Sequence, residues 1–300
     1  MNIQELRKTV HDKLIKCGIE DASFKTDLLI CHILNMSKTE LLLKYNQIVD
    51  QVTEESINKS LLDIINGKPI QYIINKQEFM GLEFYVDENV LIPQPDTETL
   101  VEEAIKRIYA MHKNNKQKIK ILDLCTGSGA IAISIDTYIK KQIEQGKMKD
   151  LKVEFVATDI SEKAIEVAKR NAKLHNANIK FIVSDMFDNI YETDFDLIVS
   201  NPPYIETKTI PTLSKEVQNE PHIALDGGED GLELYRIIAR QGFKYMKKEG
   251  SIIVEIGYNQ KESIIQLFRK YIEYVNIKCL KDLGGNDRLV EITVAESEKI

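Results

Sequence analysis

No stretch of this 300-residue sequence is apolar for long enough to cross a bilayer. The opening Met1-Asn2-Ile3-Gln4-Glu5 also lacks the apolar core of a signal peptide. Both absences predict a chain away from the membrane, in the cytoplasm. Cysteine is scarce: Cys17, Cys31, Cys125 and Cys279 are widely scattered with no CxxC spacing. That argues against a disulfide framework or a zinc site and for inert thiols in a reducing compartment, so no metal is expected. Positive charge is not in excess either. Lys and Arg number 40 against 47 Asp and Glu, a formal charge of −7, which gives no global attraction to nucleic acid and leaves at most a local basic groove. Internal repeats and low-complexity tracts are missing. So are Gly-x-Gly-x-x-Gly and the Gly-Lys-Ser/Thr of a phosphate loop, which disfavours nucleoside triphosphates.

What is present is the composition of a soluble globular protein, 43% hydrophobic and 29% charged, long enough for two domains. Residues 1–75 read as a small helical domain. Ile3, Leu6, Val10 and Leu14 recur at helical spacing, and further helices are predicted near Asp21–Leu34, Thr39–Tyr45 and Glu54–Asn66. From Phe79 to Ile92 apolar and polar residues alternate around Asp87-Glu88-Asn89. That pattern predicts a β-hairpin linker over residues 76–96. Asp96 or Thr97 then reads as the cap of a helix running to about His112. Beyond Lys118 strands and helices alternate, the signature of a parallel α/β sheet, so residues 97–300 form the second domain. Its predicted strands are Ile119–Leu124, Val153–Thr158, Ile179–Val183, Phe195–Val199 and Ser251–Ile256. Two more, Tyr274–Leu280 and Arg288–Val294, flank the turn Gly284-Gly285-Asn286.

The chemistry gathers where these strands end. The first runs into Cys125-Thr126-Gly127-Ser128-Gly129, a glycine turn that lets backbone approach a ligand. By itself it is equally a tight turn. The second ends in Asp159, placed either to accept from ribose hydroxyls or to cap the following helix. The third ends in Asp185-Met186, where the carboxylate suits an adenine amine and the thioether a ring face. The fourth ends in Asn201-Pro202-Pro203-Tyr204. An Asn side-chain oxygen and a Pro carbonyl together accept both N–H bonds of a poorly nucleophilic NH2. The Pro rings remove competing donors, and Tyr204 offers a flat face. The same four residues also read as a strand-ending turn. Ligands of open α/β sheets sit beyond the carboxyl ends of the strands, so the joint pattern is more specific than any member.

With these residues in place the chain resembles the class I S-adenosylmethionine-dependent methyltransferases. More narrowly, it resembles the release factor glutamine N5-methyltransferase family, over essentially its whole length. The matching segments include Leu91–Glu98, Asp123–Gly129, Asn201–Ile205, Glu220-Pro221 with Ala224-Leu225, Gly227–Leu232 and Asp282–Arg288. The resemblance implies a Rossmann-like α/β sheet carrying a small N-terminal helical domain for substrate recognition and a β-hairpin linker. It implies that Cys125 to Gly129, Asp159, Met186 and Asn201 line an S-adenosylmethionine site. Asn201, Pro202, Pro203 and Tyr204 would grip a substrate glutamine, with Asn201, Pro202 and Tyr204 catalytic. The implied client is the glutamine in the Gly-Gly-Gln loop of bacterial peptide chain release factors, with no direct nucleic-acid partner. Two departures stand out: Gln94 and Asp96 occupy a segment that often holds Arg and Glu, and Cys125 replaces a common Gly. The thiol is expected to fit if that position does not need positive φ. Competing readings are a ribosomal-protein glutamine or an exocyclic adenine as target, or a non-catalytic S-adenosylmethionine-binding module. A nicotinamide oxidoreductase is disfavoured by the incomplete glycine fingerprint.

Overall fold

The computed structural model describes residues 1–271 and 275–294. The chain divides into two compact units, Met1–Lys76 with Leu213–Asn219, and Gln77–Thr212 with Glu220 onward. The first unit is helical: α1 (Ile3–Lys16), α2 (Ala22–Ile33), α3 (Lys38–Leu43), α4 (Gln51–Ile65) and α5 (Ile70–Ile74). Asn2 and Glu5 form a reciprocal capping box at the start of α1, satisfying two otherwise orphaned N–H groups. The predicted stripe Ile3, Leu6, Val10 and Leu14 is buried with Leu29, Ile30, Ile57 and Leu61 in one apolar core. The late segment Leu213–Asn219 joins this unit, where Glu216 pairs with Lys25 and Asn219 Nδ2 donates to the Gly67 carbonyl at 3.2 Å.

The second unit begins with the antiparallel hairpin β1 (Gln77–Phe79) and β2 (Leu82–Phe84). The turn is therefore Met80-Gly81, not the expected Asp87–Asn89. Met80 (φ 53°) and Gly81 (φ 69°) are both left-handed, the conformation a two-residue hairpin needs. Met is a poor advertisement for that conformation, which is why the pattern pointed further on. Asp87 instead builds a local turn, its Oδ1 accepting from the Asn89 amide at 3.0 Å. Next, α6 (Pro95–Lys113) has Gln94 as its N-cap and Pro95 in the first turn, so neither Asp96 nor Thr97 caps it. Proline is favoured there because its missing N–H would be unsatisfied anyway.

There follow β3 (Lys118–Leu124), α7 (Ala130–Glu144), β4 (Lys152–Asp159), α8 (Glu162–Leu174), β5 (Ile179–Val183) and β6 (Phe195–Ser200). Past α9 (Lys215–Gln218), which lies in the first unit's segment, come α10 (His222–Leu225), α11 (Glu233–Tyr245), β7 (Met246–Glu255), α12 (Lys261–Tyr271), β8 (Val275–Lys281) and β9 (Asp287–Val294). The predicted start of β8 at Tyr274 lies outside the described residues. The sheet order is β5-β4-β3-β6-β7-β9-β8, parallel from β5 to β7, with β9 and β8 antiparallel. Both sheet faces are covered, so the central strands read as continuous apolar runs. Ile121, Leu197, Val199 and Ile253 pack toward α6 and α7, while Leu122, Ile198, Ile252 and Val254 pack with Tyr235, Ile238 and Phe268 of α11 and α12. The strand order reverses between β3 and β6, the place where such sheets open a crevice. Among the described residues no helix is long and apolar enough to cross a membrane.

Candidate active site

The loop after β3 curls because Cys125 (φ 58°), Gly127 (φ 54°) and Gly129 (φ 81°) are all left-handed. A Cβ on Gly129 would sit 3.2 Å from Ala168 Cβ and 3.4 Å from Ala168 Cα, so this glycine lets the start of α7 pack close against α8. A Cβ on Gly127 would meet nothing within 4 Å, so its open face leaves room for a ligand against the backbone. Thr126 and Ser128 are buried and act within the loop. The Thr126 hydroxyl donates to Asp123 Oδ2 at 2.7 Å, and the Ser128 carbonyl accepts from Asn171 Nδ2 at 2.9 Å. Burial pushes the Asp123 carboxyl up to about 7, against the Thr126 bond that lowers it.

Cys125 corrects the expectation set for it, since the position does adopt positive φ. Its Sγ lies 3.8 Å from Met186 Sδ, and Met186 is itself left-handed at φ 44°. Burial pushes the Cys125 thiol far up, reinforced by Asp159, so it stays protonated and is no nucleophile. A side chain in this region costs about 1 kcal/mol, which roughly cancels the extra unfolded-state freedom of glycine. Cys125→Gly is therefore expected to unfold in urea within about 1 kcal/mol of the parent. The β-branched Cys125→Val is expected to lose about 1–3 kcal/mol. Equal stability for valine would remove the strain argument.

Asp159 closes the loop from the neighbouring strand. Its Oδ2 accepts from the Gly127 amide and its Oδ1 from the Ser161 amide, both at 2.9 Å. The cap of α8 is Ser161, whose hydroxyl accepts from the Ala164 amide, so Asp159 bridges two segments rather than capping. Burial raises its carboxyl above the usual range, partly offset by these amides. Ser184 N–H donates to the Asp159 carbonyl at 2.9 Å, which sets Asp185 and Met186 beside it. On the other side of β3, the Ser200 hydroxyl donates to the Leu124 carbonyl at 2.8 Å and fixes the end of β6. Asn201 follows, with its Nδ2 donating to Thr97 Oγ1 of α6 at 3.1 Å.

One cavity joins these strand ends. It encloses ≈ 860 Å³ of empty space out to its mouth, and Cys125, Gly127, Asp159, Asp185, Met186, Asn201 and Pro203 stand in its wall. Thr126, Ser128, Gly129, Pro202 and Tyr204 are not in the wall. The Tyr204 ring packs on the core beneath α11, and burial pushes its hydroxyl up to about 12 despite the nearby Arg288. Its carbonyl accepts from Gln260 Nε2 at 3.0 Å. A Cβ on Gly227 would sit 2.8 Å from Tyr204 Cα, so Gly227 lets the two loops lie flush. The rest of the wall includes Val90, Leu91, Pro221 and Ile223, which sequence reasoning gave no role. Glu220 anchors that side: its Oε2 accepts from the Ile92 amide at 2.9 Å. The sequence signals for these residues were the quoted segments Leu91–Glu98 and Glu220-Pro221. Among the described residues no group of three His, Cys, Asp or Glu could hold a metal ion.

The departures near α6 resolve locally. Gln94 Nε2 donates to the Ile92 carbonyl at 3.0 Å, and the charged contact is made by Asp96, 2.9 Å from the Arg288 guanidinium.

Known proteins resemble both parts of the chain. A family model for the methyltransferase small domain matches residues 105–247, and one for the PrmC N-terminal domain matches residues 5–74. A release factor glutamine methyltransferase of Streptococcus pneumoniae is 36% identical over 97% of this chain and 98% of its own length. A bifunctional methyltransferase of Rickettsia felis is 37% identical over 96% of this chain and 57% of its own length. The chain thus spans little more than half of that longer relative. A structure from Listeria monocytogenes described as a class I S-adenosylmethionine-dependent methyltransferase superposes with a TM-score of 0.50 at 14% identity. It covers 99% of this chain and 89% of its own. The expected class I α/β fold is borne out.

Proposed function

We infer that this chain, which belongs to the release factor glutamine methyltransferase family, methylates the side-chain amide nitrogen of a glutamine. The acceptor we propose is the glutamine of a Gly-Gly-Gln loop in peptide chain release factors, and the methyl donor is S-adenosylmethionine. The observation that carries this reading is the single cavity shared by the strand-end residues and Asn201. It lets donor and acceptor groups meet in one place.

The residues fit the donor. Gly127 has an open face, Asp159 and Asp185 supply acceptors for ribose and adenine N–H or O–H groups, and Met186 offers an apolar thioether. When bound, S-adenosylmethionine supplies an electrophilic methyl carbon on a sulfonium. The chain's own task is alignment, which in the best cases contributes roughly 7–11 kcal/mol. Asn201 commits its Nδ2 to Thr97, so Oδ1 is the atom that accepts one N–H of the glutamine amide, and the Pro202 carbonyl accepts the other. Held this way, the nitrogen presents its lone pair rather than its protons. Asp159 holds the loop that backs this arrangement. Tyr204, out of the cavity wall, serves by packing the Asn-Pro-Pro segment against the core and not by stacking on the amide. The proton released from the product amide goes to solvent.

The helical unit, lacking these groups, we assign to recognition of the protein substrate. The acidic chain favours a protein client over a nucleic acid, for which phosphate contacts supply much of the affinity. The test offers the full chain labelled S-adenosylmethionine with a release factor, ribosomal protein and DNA in parallel. Label is expected in the release factor. Label only in ribosomal protein or DNA would transfer the activity to another client, and none at all would leave a binding module.

A further inference from the structure

β7 ends in Glu255, a carboxylate only 2% exposed inside the apolar run Ile252-Ile253-Val254-Glu255-Ile256. Its Oε2 is buried without a hydrogen-bond partner. An apolar residue would serve the sheet at least as well, because a buried charge is costly. The strand register explains where the group stands. Val254 pairs with Ser200 of β6, so Glu255 and Asn201 are the next residues of two adjacent strand ends. α6 lays Thr97, 5% exposed, over the same spot, and its Oγ1 takes the Asn201 Nδ2–H at 3.1 Å. The Tyr235 hydroxyl of α11 donates to the Glu255 carbonyl at 2.6 Å, pinning the backbone.

We propose that Glu255 and Thr97 are positioning residues that hold the Asn201 amide with Nδ2 inward and Oδ1 toward the cavity. The proposal rests on the methyl-transfer reading of this site. A hydroxyl has one proton to give and lone pairs to receive. When the carboxylate takes the Thr97 O–H, a Thr97 lone pair is left for the Asn201 N–H. When Glu255 is protonated, the charge that holds the Thr97 proton is gone. The Thr97 O–H is then free to turn to Asn201, where only Oδ1 can accept it, and the amide is drawn the wrong way round. The positioned state is therefore favoured when Glu255 is ionised, and turnover rises with pH through its titration.

The surroundings put that titration in the neutral range. Burial pushes the Glu255 carboxyl up to about 7, opposed by the neighbouring Thr97 and Asn201 side chains and by the charge of Arg288. Asp96 of α6 raises it further. Arg288 of β9 is shared, donating to Asp282 Oδ2 at 3.1 Å while pairing with Asp96. Tyr204 and Tyr235 face the same group, and burial pushes both hydroxyls up, so they stay neutral. Asp123 and Asp159 also titrate upward in the cofactor loop, so a pH profile alone does not identify the group and a Glu255 variant must remove it.

The experiment measures kcat for the full chain between about pH 5.5 and 8.5 at saturating S-adenosylmethionine. The parent is expected to gain about tenfold through a midpoint near 7. Glu255→Gln still accepts the Thr97 proton but has none to gain, so its profile is expected to be flat, with cofactor affinity within about twofold. Thr97→Val is expected to lose at least about tenfold in kcat at every pH with the same cofactor affinity, and Thr97→Ser to restore it. A Glu255→Gln profile that keeps the parent midpoint, or full turnover in Thr97→Val, overturns the proposal. A second arm needs no methyl acceptor: the Asn201 side-chain amide resonance, assigned by its loss in Asn201→Ala, should shift with the same midpoint in the parent and not in Glu255→Gln. An Asn201 amide indifferent to pH overturns the relay whatever the client. Absent methylation with a titrating amide defeats only the assignment of activity.

Discussion

Asn201→Ala is expected to lower kcat for glutamine methylation about 10²–10³-fold while leaving S-adenosylmethionine affinity within about threefold. The size follows from the kind of catalysis. Cys125, the thiol in the cavity wall, is held protonated and offers no nucleophile. Alignment of a delocalised amide is then most of what the protein contributes. Removing the acceptor lets the nitrogen rotate its protons toward the reacting centre, and misplacement of about 1 Å is enough to cost 10²-fold. Stability should change little, because Asn201 lies just past β6, where Ser200 and Leu124 hold the strand end without it. Calorimetric titration of cofactor beside initial-rate measurements separates the two effects. Parent-like kcat would remove Asn201 from the reaction, whereas equal losses in kcat and affinity would make it a structural residue.

The second large effect falls on binding. Asp159→Ala should weaken S-adenosylmethionine affinity about 10²-fold, or about 2.8 kcal/mol, with kcat at saturation within a few-fold. Both carboxylate oxygens accept main-chain N–H groups, from Gly127 and Ser161. Truncation therefore orphans two donors, each costing about 1–3 kcal/mol where water cannot replace the acceptor. The loop carrying the open face of Gly127 loosens at the same time. Asp159→Asn keeps one acceptor oxygen but turns two donor protons toward an N–H group, so it should fall between alanine and the parent. Undiminished affinity in Asp159→Ala would mean that the carboxylate serves the loop alone and touches no cofactor.

That these two residues stand in one cavity wall was legible in the sequence, and the reason is physical. A parallel sheet collects its strand ends at one edge, so residues at successive strand ends converge wherever the strands are identified. The apolar runs ending at Leu124, Asp159, Val183 and Ser200 were legible because both sheet faces are covered. Geometry that depends on a single backbone angle was not legible. Met80-Gly81 forms the hairpin turn with a methionine at positive φ, a choice that propensity disfavours. Cys125 likewise adopts a glycine-like angle, where the thiol was expected to fit only if the position did not need positive φ. Gln94 takes the cap that Asp96 or Thr97 advertised. Long-range returns were hidden for a different reason. Nothing local in Leu213–Asn219 says that it joins the helical unit, or that Pro221 and Ile223 stand in the cavity wall. Glu255 left one trace, a lone charge in an apolar strand, whose meaning appears only when β6, β7 and α6 bring Asn201, Thr97 and that carboxylate together.

The central claim is that Asn201 presents a glutamine amide for methylation, and it is tested most directly by locating the methyl group. Release factor treated with the parent enzyme and S-adenosylmethionine should yield, on peptide mass spectrometry, one added methyl on the loop glutamine side chain. The same peptide should stay unmodified with Asn201→Ala or when that glutamine is replaced by alanine. A methyl group on any other residue, or an unchanged loop peptide with label elsewhere in the mixture, would contradict the account.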